Sequence, residues 1–133
     1  MTIANTCVLV AAFLPIVTVG MAKASTARMR RSQGGYDNNN PREWTAKLSG
    51  WQARAAAAQA NGFEALPLFA FAVLVAQMAQ VEQGRTDMLA MAFIGIRLVY
   101  TAMYLANLAT LRSLVWFAGV AAVIGIMAPT LSF

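Results

Sequence analysis

The chain divides into four apolar runs separated by three polar connections of unequal length. Residues 3–22 hold 20 consecutive positions without a charge. Residues 65–81, 88–111 and 113–133 follow, and the only charge within them is Arg97. Each run approaches the roughly 20 residues with which an α-helix crosses about 30 Å of hydrocarbon. The first is too long for the apolar part of a signal peptide and follows no basic stretch, so it reads as a retained span. The pattern predicts an all-α integral membrane fold: one four-transmembrane-helix bundle over residues 1–133. The expected spans are about residues 3–22, 61–81, 88–109 and 113–132, the second helix starting well before the membrane.

The connections set the expected orientation. Residues 23–50 form the long polar stretch, with Arg28, Arg30, Arg31, Arg42 and Lys47 against Asp37 and Glu43. Gln33-Gly34-Gly35 and Asp37-Asn38-Asn39-Asn40-Pro41 are turn and breaker chemistry, so residues 32–41 should be irregular. Pro41 suits the first turn of a short helix, with Asn40 as its cap. Residues 82–87 and 110–112 make the two short turns. Basic connections face the cytoplasm, which predicts a cytoplasmic 23–50 loop and both termini on the far side, in the periplasm.

Composition narrows the chemistry. Of 133 residues 59% are hydrophobic and 11% charged, against about 25% charged in an ordinary soluble domain. This excludes a soluble globular enzyme and, equally, a disordered chain. The formal net charge is +5, with no His and one Cys. Imidazole catalysis, an internal disulfide and a multi-cysteine metal site are thereby excluded, and no metal is expected. The excess of Lys and Arg beside membrane spans is accounted for by topology and anionic headgroups, without a nucleic-acid partner.

The polar residues at membrane depth carry the remaining information. With 100° per residue, Arg54, Asn61 and Glu64 form one stripe on the second helix, climbing about 15 Å. Arg97, Tyr104 and Asn107 repeat the same offsets on the third, with Tyr100 inside the arc. A charge in hydrocarbon costs about 2.5–3.5 kcal/mol even on the lenient insertion scale, so Glu64 and Arg97 should face protein or a wet cavity. A direct Glu64–Arg97 pair fixing register is one expectation, and a buried pair by itself argues for nothing more. The other is a ligand site, since Arg54, Asn61, Tyr100, Tyr104, Asn107 and Arg112 offer more donors than one carboxylate takes. Such a cluster suits a polar, anionic ligand entering from the cytoplasmic end.

The second-helix run Arg54-Ala-Ala-Ala-Ala-Gln59-Ala-Asn61-Gly-Phe-Glu64-Ala-Leu-Pro67-Leu-Phe69 resembles a signature of the MAPEG superfamily (membrane-associated proteins in eicosanoid and glutathione metabolism). The likeness lies in Asn-x-x-Glu-x-x-Pro-x-Phe, preceded by Gln and Arg. Arg97-Leu-Val-Tyr100-Thr-Ala-Met-Tyr104 is similar to the family's third-helix pattern, and Arg112 falls near its thiol-activating arginine. The stretches around Tyr36–Arg42 and Arg112–Gly119 look like an uncharacterised bacterial branch. The resemblance spans the whole chain and departs from glutathione-using members at Ala57 and Ala65. It implies a homotrimer in the bacterial inner (plasma) membrane, with glutathione as co-substrate between subunits. It further implies that Arg54, Gln59, Asn61, Glu64, Arg97, Tyr100 and Tyr104 bind glutathione while Arg112 stabilises its thiolate.

Two functions follow as expectations. One is a glutathione transferase or peroxidase acting on small lipophilic electrophiles delivered by the lipid bilayer. The other is a non-catalytic scaffold or accessory subunit of a membrane protein complex. A small proton-coupled exporter shares the size but requires a Glu in the first helix, where residues 3–22 have none. Trp44, Trp51 and Trp116 read as interfacial anchors, the Ala55–Ala58 face as a packing surface, Pro67 as a kink and Cys7 as an inert apolar side chain.

Overall fold

The computed structural model describes residues 1–131. Five α-helices follow in order: α1 (Ile3–Ser25), α2 (Pro41–Ala46), α3 (Gly50–Met78), α4 (Gln83–Leu105) and α5 (Ala109–Met127). Short 3₁₀ turns occupy Arg31–Gln33 and Ala128–Thr130, and no strand occurs among the described residues. All but α2 are long and apolar enough to cross a membrane, counting α5 with the turn that prolongs it. At 1.5 Å per residue the 29 residues of α3 reach about 44 Å, longer than the hydrocarbon is thick. Helix α3 therefore carries its polar first turns beyond the apolar layer.

The helix ends differ from the sequence expectation at definable points. Helix α3 starts at Gly50, well ahead of the 61–81 span as expected, but stops at Met78 rather than 81, running through Pro67 unbroken. Helix α4 ends at Leu105 because Asn107 adopts a left-handed backbone, φ 61°. The N–H of Asn107 then donates to Tyr104 O and that of Leu108 to Met103 O, closing a Schellman cap. Gln80 does the same for α3, at φ 55°, with Val81 N–H donating to Ala76 O. Helix α5 accordingly opens at Ala109, four residues ahead of the expected 113, and Arg112 sits inside its first turn. Residue 132, the last of the expected fourth span, lies outside the described residues.

Capping contacts between helices fix an up-down-up-down arrangement. At one end Ala4 N–H donates to Asp87 Oδ1 at 2.8 Å, Gln77 Nε2 to Thr2 Oγ1, and Arg85 to Gly125 O. A carboxylate on the first free N–H groups of α1 also meets the positive end of its dipole. At the opposite end Gln52 Nε2 donates to Ser25 Oγ and Arg54 Nε to Leu105 O. Most of the Lys and Arg residues, including those of the 23–50 connection, gather at this second end.

That connection folds onto the bundle. Trp44 is buried, stacks edge-on against Tyr36 at 5.0 Å and donates Nε1–H to Gly34 O. Lys23 Nζ donates to the Tyr36 hydroxyl and lies over its ring. Gly35 approaches so closely that a Cβ there would sit 2.2 Å from Met29 O. Asn40 precedes α2 as expected, but its side chain does not cap the helix. Its amide donates instead to Asp37 Oδ2. That hydrogen bond, then one from Asn39 N–H, and the nearby Arg31 hold the Asp37 carboxyl below its ordinary range.

The core is built from small residues at helical spacing. Ala4, Cys7, Ala11, Pro15, Thr18 and Ala22 make a buried stripe on α1, facing α3 and α4. Phe69 and Phe93 stack at 4.0 Å where α3 meets α4, with Val73, Ala90, Ala122 and Ile126 around them. The opposite faces expose Phe13, Ile16, Phe71, Leu74, Leu114 and Phe117, the inverse of a water-soluble protein. With no hydrophobic drive between helices in lipid, close backbone approach supplies the packing. Gly62 marks the close approach of α3 to α1: a Cβ there would meet Pro15 Cγ at 2.6 Å, whereas Gly95 has nothing within 4 Å. Gly62→Ala is expected to lower unfolding stability in detergent by about 1–3 kcal/mol. Gly95→Ala should leave thermal unfolding unchanged or slightly delayed; equal losses from both would contradict this packing.

Candidate functional site

The polar residues at membrane depth converge where α3, α4 and α5 meet, and they line two adjoining clefts. The first, of about 340 Å³, opens toward the basic end and is lined by Asn61, Tyr100, Tyr104, Arg112, Ser113, Trp116 and Phe117. The second, of about 420 Å³, runs toward the other end along α5. Asn61, Glu64 and Arg97 form its polar end; Leu68, Phe93, Val120, Val123 and Ile124 make the rest apolar. Asn61 and Trp116 border both clefts.

Helical spacing explains the assembly. Residues 97, 100, 101 and 104 recur every three or four positions, so one stripe of α4 faces inward. Arg97, Tyr100 and Thr101 are buried on it. Arg112 and Trp116 are four apart on α5 and turn to the same side. The rings of Tyr100 and Tyr104 meet edge-on at 5.7 Å. Each carries a guanidinium at 4.2 Å, Arg97 over Tyr100 and Arg112 over Tyr104. Such cation–π contacts strengthen when water is excluded.

Arg97 is the charge most removed from water. It is 6% exposed and lies eight residues, about 12 Å, inside the basic end of α4. Its Nη2 donates to Asn61 Oδ1 at 3.0 Å, while Asn61 Nδ2 is 3.5 Å from Glu64 Oε2. The expected direct Glu64–Arg97 pair is not formed. The ion pairs among the described residues are Arg31–Asp37 and Lys47–Glu43, both in the loop region. The Asn61 amide stands between the two charges because it projects from α3 one turn nearer the basic end than Glu64. Glu64 itself is exposed along the apolar cleft.

Other expected site residues are placed elsewhere. Arg54 is committed to the C-terminal carbonyl of α4 at Leu105. Gln59 borders neither cleft, since two residues before Asn61 is about 200° round the helix. Asn107 leaves the α4 stripe because it belongs to the cap. Trp116, Ser113 and Phe117 were not expected at the site; the i,i+4 spacing from Arg112 was the available signal for Trp116. The Tyr100 side chain is 4% exposed, and its hydroxyl has no hydrogen-bond partner among the described residues, leaving it directed to the polar cleft. No His/Cys/Asp/Glu group capable of holding a metal occurs among the described residues.

A model of the MAPEG family matches residues 3–132, nearly the whole chain. The chain belongs to the MAPEG family. Comparison with curated proteins and with solved structures finds no match. MAPEG membership agrees with the four apolar helices in making this a multi-pass membrane protein.

The relay through Asn61 gives the first test of this site. A hydrogen bond to a charged group contributes about 1.5–3 kcal/mol, so Asn61→Ala should lower unfolding stability in detergent by that order. Glu64→Gln should change it little, because no ion pair is broken. A larger loss from Glu64→Gln than from Asn61→Ala would restore the direct clamp.

Proposed function

We propose that this MAPEG protein binds glutathione in the polar cleft and uses its thiol against a lipophilic electrophile held in the apolar cleft. The observation that carries the reading is the adjacency of the two clefts, one rich in donors and one apolar, meeting at Asn61 and Trp116. Glutathione has two carboxylates, one ammonium group and a thiol. The donors present fit it: the Arg112 guanidinium, the unpartnered Tyr100 hydroxyl, Tyr104, Ser113 and the Asn61 amide. The Glu64 carboxylate, beside the same amide, is available to the ammonium group. The apolar cleft offers the second substrate a route from the bilayer.

The roles divide by position. Arg112 projects into the polar cleft without a carboxylate partner among the described residues. A guanidinium beside a thiol favours the thiolate, which is the nucleophile. The thiol proton passes to water. In conjugation the sulfur bonds to carbon and the leaving group departs with its electron pair. In peroxide reduction the sulfur takes the terminal oxygen, the O–O bond breaks, and the alcohol leaves protonated. A second glutathione then converts the sulfenic acid to disulfide and water. The protein needs no His for either reaction. We further propose a homotrimer in the bacterial inner membrane, with the basic connection in the cytoplasm, so that the open side of the polar cleft meets a neighbouring subunit.

A second reading, a scaffold or accessory subunit, is favoured by one observation: the Arg97–Asn61 bond ties α4 to α3 whether or not catalysis occurs. Detergent-solubilised protein titrated with glutathione separates the two. Saturable growth of ultraviolet thiolate absorbance is expected. Arg112→Leu should abolish it and lower kcat by about 10²-fold, in the range of a lost anion-stabilising donor. Arg42→Ala, on the exposed α2, should leave both unchanged. If millimolar glutathione neither binds nor ionises, the catalytic reading fails and the scaffold stands.

A further inference from the structure

The basic end of the bundle holds most of the cations, and the structure commits them unequally. Arg31 pairs with Asp37, and Lys47 with Glu43. Lys23 Nζ donates to the Tyr36 hydroxyl and Arg54 Nε to Leu105 O. Arg28 and Arg30 are left over: both are exposed, and no carboxylate comes within 4 Å of either among the described residues. The end of α1 does not draw them back as capping donors, because its last carbonyls are already taken. Ser25 Oγ donates to Ala22 O, Thr26 Oγ1 to Lys23 O and Ala27 N–H to Ala24 O.

The two arginines are also held at a defined depth. Gln52 Nε2 donates to Ser25 Oγ at 2.8 Å, which sets the first turn of α3 level with the last turn of α1. Trp51, beside Gln52, is 42% exposed, and tryptophan favours the boundary between hydrocarbon and headgroups. Residues 27–35 leave α1 at that level and stay near it, because Tyr36 N–H returns to Thr26 Oγ1 at 3.2 Å. Inside this closed loop the N–H groups of Gln33 and Gly35 both donate to Arg30 O, fixing the backbone that carries Arg30. Arg28 and Arg30 therefore stand in the headgroup layer, just beyond the end of α1 at Ser25.

We infer that the 27–35 loop is a docking site for anionic phospholipids, with Arg28 and Arg30 binding the phosphodiester oxygens of their headgroups. A guanidinium presents a planar fork of donors that matches a phosphate. Zwitterionic phospholipids carry the same phosphate, but their ammonium group cancels its charge, so the site selects lipids of net negative charge. The occupant is a lipid and not a free anion: Val17 and Met21 are exposed on the last turns of α1, where acyl chains lie below the headgroups. A bound lipid ties the start of the 23–50 connection to the leaflet. Nothing in this assignment depends on glutathione.

The full chain in neutral detergent can be titrated with phosphatidylglycerol or phosphatidylcholine, and the bound lipid counted by native mass spectrometry. A basic residue at a membrane surface is worth about fivefold, so the wild type should prefer phosphatidylglycerol by about 30-fold. Arg28→Gln combined with Arg30→Gln should remove most of that preference. Thermal unfolding without lipid should be unchanged in the double variant, since both side chains are exposed. Arg28→Lys with Arg30→Lys should retain part of the preference. Arg42→Gln, which removes an exposed cation from α2, should leave it as it is. Inorganic phosphate at the same concentration should not displace the lipid. Equal binding of the two lipids by the wild type overturns the inference, as does a preference that survives the double Gln variant. An equal loss from Arg42→Gln would reduce the effect to overall charge, and displacement by inorganic phosphate would reduce it to a free-anion site; either result also overturns it.

Discussion

The hydrogen bond from Arg97 to Asn61 is the constraint around which the rest of the structure is arranged. A guanidinium about 12 Å inside the basic end of α4 is tolerable only with polar company, and α3 supplies it. To bring Asn61 within 3.0 Å, α3 and α4 must approach closely. The stacked Phe69 and Phe93 set that approach one layer further along. Helix α1 closes the other side, where its small-residue stripe and the Gly62–Pro15 contact let backbones meet. Packing by small residues and placement of one charge are thus two aspects of the same geometry.

The same bond separates the two clefts. Asn61 is shared by both, with Arg112 and the tyrosines on one side and Glu64, Arg97 and the aliphatic wall on the other. The proposed chemistry, a water-soluble thiol meeting a membrane-soluble electrophile, would need such a boundary. In that proposal each reactant would keep its preferred medium up to the point of contact. The neutral amide is suited to the boundary: it donates toward a carboxylate, accepts from a guanidinium, and lets neither neutralise the other.

Much of this was legible in the residues. Four apolar runs sufficed for the helix number, and the alternation of their polar connections agrees with the up-down order. Helical periodicity put Tyr100 and Tyr104 on one face of α4, whereas their meeting with Asn61 of α3 and Arg112 of α5 is a matter of how the helices pack. Arg54 and Gln59 were expected beside them and stand elsewhere. Arg54 lies on the stripe, yet it reaches the α4 terminus, whose unsatisfied carbonyl is a strong acceptor. Gln59 failed for a simpler reason, since its angular position takes it away from the clefts. Asn107 shows the limit of periodicity: its repeat matched, but its short amide side chain tolerates the left-handed conformation that ends a helix.

The sequence by itself determined that the chain spans a membrane, that it has four long helices, and which faces of them are polar. Hydrocarbon length and side-chain transfer energies act residue by residue, so a one-dimensional pattern records them. Only the tertiary structure decided that Glu64 and Arg97 are kept apart by Asn61, that Arg97 belongs to the apolar cleft, and that Trp116 joins both clefts. Those outcomes depend on the rotation and separation of neighbouring helices. A one-turn difference in where a side chain emerges decides whether two charges meet, and no single helix contains that information.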